Sequence, residues 1–289
     1  MITKIFNNKH YYEKQIKLLS HNITTCIKIY NKKPKLTIIT IDNYFSTNLY
    51  IKNKIKSCNI TNTENIIFKL SNSIKTNTII QIINIINKDK NINGIIIQLP
   101  LPNKLKKKYI FLSINKKKDI DLLNPKNIGQ YINGYEKNII PCTVNAVKQT
   151  LIYLKIKTKG LNACIIGFSN IVGKPLIYQL YSMGITPTII NQHNKQFKKL
   201  IKYNDIIIIA LGKKKYVKQN ELPIGGLAID IGINNYKNKL TIGDIELKKN
   251  NKQLSYITPV PNGIGLLTTL NLLLNNFKLF LFQNKIKLK

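Results

Sequence analysis

Apolar residues along this chain fall into short unbroken runs, separated by stretches where they recur every three or four positions. The runs LTIITI (36–41), IIFKL (66–70), GIIIQLPLP (94–102, ended by prolines), ACIIG (163–167), TPTII (186–190), DIIIIAL (205–211) and GLAIDIG (226–232) predict strands. Between them the spacing predicts helices. One is compatible with 44–58; Ile79, Ile80, Ile82, Ile83 and Ile86 recur near helical period; others span about 143–154, run onward from Lys174, and occupy the apolar tail 264–282. Unbroken apolar strands alternating with helices predict parallel sheets covered on both faces. The economical reading is two α/β domains, 1–141 and 142–263, the tail 264–289 returning as a helix to the first.

Composition narrows the function classes. A chain of 289 residues that is 44% hydrophobic can bury a sizeable core. Unbroken runs such as IIIIAL (206–211) are short of the ~18 residues a membrane span needs, and the start MITKIFNNKH lacks the apolar stretch of a signal peptide. The expected location is the cytoplasm, with no membrane partner. Cys26, Cys58, Cys142 and Cys164 form no CxxC pair, so they read as reduced, mostly buried thiols, and no metal is implied. The net charge of +34 argues by itself for nucleic acid. However, all 46 basic residues are Lys, scattered through a chain in which Asn and Ile are also abundant. Specific nucleic-acid binding favours Arg for bidentate contacts and aromatics on a basic face, so the charge reads as compositional drift.

Chemistry enters with GFSNIVGKP (167–175), which follows an apolar strand and precedes a helix. A Walker A loop is excluded: five residues separate Gly167 from Gly173, and Pro175 stands where a magnesium-binding hydroxyl belongs. The dinucleotide fingerprint GxGxxG is not matched literally either, since the loop reads GxSxxxG, but strand, small-residue turn and helix form its context. Gly167 would permit the tight turn, Gly173 the approach of backbone amides to a diphosphate, and Pro175 suits a first helical turn. The alternative is a turn with no ligand. An NAD site places an acid at the end of the next strand, yet TIINQHNKQ (188–196) has none, while Lys174 and Lys195 offer positive charge for a 2′-phosphate. NADP is therefore expected over NAD.

A second candidate is YIKNK (50–54). On a helix Tyr50 and Lys54 share a face and can act on one substrate. A Lys base near neutrality needs its pKa lowered by about three units, or ~4 kcal/mol, which burial or neighbouring positive charge must supply. An exposed helix face is the plain alternative. Short-chain dehydrogenases also pair Tyr with Lys, but there the glycine loop comes first.

Taken with GIIIQLPLP, KDIDLLNPKNIG (118–129), PCTVNAV (141–147), DIGIN (230–234) and ITPVPNGIGLLT (257–268), these motifs give the chain its resemblance. Over nearly its whole length, and in the same order, it resembles the bifunctional methylenetetrahydrofolate dehydrogenase/methenyltetrahydrofolate cyclohydrolase family. The resemblance implies a tetrahydrofolate domain followed by a Rossmann-like NADP domain, a cleft between them, and a homodimer. It implies oxidation of 5,10-methylene-tetrahydrofolate with NADP, then hydrolysis to 10-formyl-tetrahydrofolate, a step of one-carbon metabolism that serves purine biosynthesis. By resemblance Lys54 is the general acid/base, Tyr50 orients it, Gln98 holds it, and Asp121 binds the pterin ring. Gly263 and Gly265 sit near folate and nicotinamide, where side chains would obstruct. Cofactor contacts would come from Gly167, Phe168, Ser169, Ile171, Val172, Gly173, Lys174, His193, Asn194, Lys195 and Ile233. Departures from the family pattern are Leu122 and Asn262 at usual glycines, Val144 and Ala146 after PCT, Leu266 in the closing loop, Asn194 at a usual serine, and IDNYFST (41–47) without its usual glycine and proline. Two other readings predict different behaviour: another NAD(P) oxidoreductase using the Tyr–Lys pair, and a basic binding protein on a decayed enzyme fold.

Overall fold

The computed structural model describes residues 3–41, 45–135, 138–236, 240–247 and 254–287, with the backbone alone at 45–50, 235, 236 and 240. The chain divides into two compact units, Met1–Tyr12 with Thr143–Thr268, and Glu13–Cys142 with Thr269–Lys289. The first twelve residues thus group with the later part of the chain, where the sequence reading puts them with the first domain. The cause is main-chain pairing: Lys4–Ile5 lies parallel to Tyr256–Ile257. A two-residue strand carries no readable period.

The unit of 13–142 and 269–289 is built on a three-stranded parallel sheet, with Lys35–Ile41 between Glu64–Leu70 and Gly94–Ile97. The central strand is buried from Leu36 to Ile41, on both of its faces, so its run needs no alternation. The helix Thr76–Lys88 buries Ile79, Ile83 and Ile86, one stripe at helical spacing. Gly94 meets the C-terminal helix Ile264–Gln283 so closely that a Cβ would collide with Asn276 and Ile120. That helix is long and apolar enough to cross a membrane by length and composition alone, but 67% of its most apolar window is buried inside the protein.

The unit of 1–12 and 143–268 carries a six-stranded parallel sheet, in the order Lys4–Ile5, Tyr256–Ile257, Leu227–Asp230, Ile206–Ile209, Asn162–Ile166, Thr186–Ile190. All four residues of Ile206–Ile209 are buried, as an interior strand with two covered faces requires. Thr186–Ile190 is the edge strand and tolerates Pro187, which cannot donate to a ladder. From Asn162–Ile166 the chain moves to that edge, then crosses back to Ile206–Ile209 on the other side. The strand order reverses at the carboxyl end of Asn162–Ile166, the position where open α/β sheets form a ligand crevice.

Candidate active site

Lys54 stands in the helix Phe45–Ile60 and is buried, 8% exposed. Its Nζ donates to Gln98 Oε1 at 2.7 Å. Gln98 directly follows Gly94–Ile97 and prolongs the ladder, its N–H bonding Ile39 O at 2.8 Å. Its Nε2 donates to Leu99 O at 3.0 Å, which turns the carbonyl end of the amide toward Lys54. The sheet therefore aims an acceptor at the amine. Tyr50 stands four positions before Lys54 on the same helix, but its side chain, that of Thr47, and residues 42–44 lie outside the described residues.

Burial holds the Lys54 ammonium below the ordinary lysine range; Asp121, Cys142 and Cys58 oppose that shift. Burial pushes the Cys58 thiol up to about 12 and the Cys142 thiol well above its usual value. Both stay neutral near pH 7, which leaves Asp121 as the one carboxyl among the three. The Asp121 carboxyl is itself raised, chiefly by burial, against the Cys142 amide and Lys54. Asp121 Oδ1 accepts the Cys142 backbone N–H at 2.8 Å. The structure thus brings Lys54, Gln98 and Asp121 into one cluster, and adds Cys142, to which the sequence, beyond its place in PCT, assigns no role. All four cysteines are free and buried.

At Leu122, where the family pattern has glycine, the backbone is left-handed, with φ +51°. Asp119 fixes the turn: its carboxylate accepts Leu123 N at 3.0 Å, Asn124 N at 2.9 Å and Asn127 Nδ2 at 2.9 Å. Burial pushes Asp119 up to about 6. Asn262, the other departure at a glycine, also has positive φ, +71°. Beside it, a Cβ on Gly263 would collide with Pro259 O, so the glycine is needed by the chain's own packing. At Gly265 a Cβ would meet nothing within 4 Å among the described residues.

The second site lies at the carboxyl end of Asn162–Ile166. Gly167 has φ +115°, and a Cβ there would collide with Ala210 O; one on Gly173 would collide with Gly167 O. Ser169 Oγ accepts the Val172 N–H at 3.1 Å, closing the loop onto the helix Gly173–Ser182, in whose first turn Pro175 is buried. Ile171 and Val172 are half-buried, whereas Phe168, Ser169 and Lys174 are exposed, with Lys174 Nζ 5.2 Å from the Phe168 ring centroid. After the edge strand, His193, Asn194 and Lys195 are exposed. Asn194 Oδ1 is engaged locally by the Gln196 N–H at 2.7 Å.

Two buried carboxylates scaffold the rest of this end. Asp230 accepts the N–H groups of Gly232 (2.9 Å), Asp244 (3.1 Å) and Ile245 (2.8 Å). Asp244 accepts those of Leu211 (2.7 Å), Gly212 (2.9 Å) and Lys213 (2.9 Å), with Asn234 Nδ2 at 2.8 Å. Together they tie the loops after Ile206–Ile209 and Leu227–Asp230, from which Ile233 emerges exposed. Burial pushes Asp230 up to about 7. Asp244 is not legible as a partner in the sequence, because it lies fourteen residues from Asp230 with no motif of its own; that it is one of only 12 acids in a lysine-rich chain is the available signal.

Residues 8–121 match the family model described as tetrahydrofolate dehydrogenase/cyclohydrolase, catalytic domain, and 141–284 that of the NAD(P)-binding domain. The chain is 37% identical over 271 residues to the bifunctional protein FolD of Mycoplasma mycoides subsp. mycoides SC, covering 92% of this chain and 93% of that one. It is similar to the crystal structure of the bifunctional FolD methylenetetrahydrofolate dehydrogenase/cyclohydrolase of Campylobacter jejuni, at 31% identity and TM-score 0.89 over 96% of this chain and 98% of that one. The Trypanosoma brucei methylenetetrahydrofolate dehydrogenase-cyclohydrolase, solved with NADP and an inhibitor, shares the fold at 23% identity and TM-score 0.93, over 100% of both chains.

Proposed function

The chain belongs to the tetrahydrofolate dehydrogenase/cyclohydrolase family, and from that premise we propose how its own side chains carry the two reactions. It oxidises 5,10-methylene-tetrahydrofolate to the methenyl cation and hydrolyses that cation to 10-formyl-tetrahydrofolate. The observation that carries the assignment of roles is the buried Lys54 amine, 2.7 Å from Gln98 Oε1 and under the electrostatic influence of Asp121.

Hydrolysis requires a base that accepts a proton from water as it adds to the methenyl carbon, and an acid that returns one to the ring nitrogen as the carbon–nitrogen bond breaks. A lysine serves both roles only if it holds its proton loosely. Burial has that effect on Lys54, and the Asp121 charge keeps the protonated form within reach. Gln98 fixes where Nζ stands through an acceptor oxygen that binds the ammonium without adding charge. Asp121, with one oxygen held by the Cys142 amide, is assigned to the pterin ring. Tyr50 is assigned to orienting the amine.

Oxidation relies on alignment more than on acid–base chemistry. The glycine loop fits a dinucleotide: two positions where a Cβ would strike backbone, at a helix N-terminus, on the crevice where strand order reverses. Gly167, Phe168, Ser169, Ile171, Val172, Gly173 and Ile233 are assigned to holding it, and Lys174, His193, Asn194 and Lys195 to its 2′-phosphate. NADP, so held, supplies the hydride acceptor. The preference over NAD rests on exposed lysine, without a carboxylate, after the edge strand.

Lys54→Met tests the roles. Cyclohydrolase activity, followed by loss of methenyl absorbance, is expected to fall by about 10²-fold or more, while NADPH formation persists. Equal loss of both activities in a folded variant contradicts the assignment to Lys54. Parallel assays with NADP and NAD check the coenzyme.

A further inference from the structure

We propose that Asn275 is a positioning residue for this cluster: its single amide clasps the two chain segments that bear Asp121 and Cys142, and so sets where the Asp121 carboxyl stands with respect to Lys54. The inference rests on the roles given to Lys54 and Asp121 above. Asn275 lies in the apolar helix Ile264–Gln283 and is 1% exposed. Its Nδ2 donates to Ile120 O at 2.9 Å and to Ile140 O at 2.8 Å, and stands 3.6 Å from Cys142 Sγ. Ile120 is the residue before Asp121; Ile140 lies two residues before Cys142. Cys142 in turn provides the N–H that Asp121 Oδ1 accepts, and its thiol lies 3.5 Å from Ile120 O.

One side chain therefore holds both the peptide that leads into the carboxylate and the peptide that leads into its donor. The choice of Asn is chemical. A primary amide presents two N–H groups in one plane and can serve two carbonyls together, whereas a hydroxyl serves one and an apolar side chain none. Its neighbour provides the contrast. Asn276 is equally buried, yet neither its Nδ2 nor its Oδ1 finds a partner among the described residues. Burial of an Asn in this helix is thus not itself a sign of a network; the convergence of bonds at position 275 is.

The test is a double-mutant cycle on the whole enzyme, with Asn275→Leu, Asp121→Asn and the double variant, and Asn276→Leu as control, each checked by thermal melt. Asn275→Leu is expected to raise the KM for methylene-tetrahydrofolate by roughly 10- to 100-fold, the scale of an ångström-level misplacement, and to leave the NADP KM within about twofold. In the Asp121→Asn background the same change should add less than about twofold, because the residue through which it acts is already gone. Should Asn275→Leu fail to fold, Asn275→Ser, which keeps one donor, is read in the same cycle with a smaller expected rise. A wild-type folate KM in a folded Asn275 variant, a full multiplicative effect in the Asp121→Asn background, or an equal effect from Asn276→Leu overturns the positioning role. Full cyclohydrolase activity in Lys54→Met instead overturns the assignment beneath it, so the two failures are separable.

Discussion

Leu122 shows how a side chain can hold a conformation that its backbone disfavours. A left-handed φ of +51° costs a non-glycine residue about 1–2 kcal/mol. Against this, Leu122 is only 4% exposed, and truncating a buried leucine commonly costs about 2.7–5 kcal/mol once the cavity is included. Burial therefore exceeds strain, and the turn keeps its form with Asp119 accepting the two following N–H groups. Leu122→Gly is expected to lower stability by about 1–3 kcal/mol in urea unfolding, even though it restores the family's residue. A gain in stability would show that backbone strain outweighs burial. Asn262→Gly, at an exposed position with φ +71°, should change stability by less than about 0.5 kcal/mol, since Asn tolerates this region.

At the scale of elements, what matters is where a strand ends and what it hands over. Gly94–Ile97 delivers Gln98 to Lys54, and Asn162–Ile166 delivers the glycine loop to the crevice. In that loop Gly173 packs so tightly on Gly167 O that any side chain must move backbone. Gly173→Ala should raise the NADP KM by roughly 10- to 100-fold. Hydrolysis of supplied methenyl-tetrahydrofolate should persist, since Lys54 and Gln98 belong to the other compact unit. Comparable loss of both activities would argue that the loop serves the fold rather than the cofactor. Most of these elements are legible as apolar runs or helical spacing. The helix Lys9–Tyr30 is not, although Ile16, Leu19, Ile23 and Cys26 form its buried stripe, because Lys, Asn and Thr between them dilute the period. The pairs Val217–Lys218 with Ile245–Glu246, and Asn234–Tyr236 with Leu240–Ile242, are too short to show any period.

For the whole molecule, protons link site and stability. Asp230 is raised to about 7 and Asp119 to about 6, both chiefly by burial, from unfolded values near 3.9. The folded chain therefore binds these protons more tightly than the unfolded one. The stability they contribute is full below about pH 4 and is lost as pH climbs through about 6 and 7. For Asp230 a rise of about three units corresponds to ~4 kcal/mol. Lys54 and Lys118, lowered by burial, act with the opposite sign, so the clean measurement is differential. Relative to wild type, Asp230→Asn should melt progressively higher as pH is raised from about 5 to 8; a constant difference would remove the carboxyl from the linkage.

By itself the sequence determined the alternation of strand and helix, the strand–turn–helix loop that needs glycine at 167 and 173, and the residue types able to move a proton. Period, steric need and chemical type are local properties, written within a few neighbouring residues. Only the tertiary structure decided that Gln98 turns its oxygen, not its nitrogen, to Lys54, that Asp119 stabilises the turn at Leu122, and that Asp244 and Asn275 gather N–H and C=O groups from distant segments. Those facts depend on which groups burial leaves in need of a partner. That need arises only once strands far apart in the chain have packed together and excluded water.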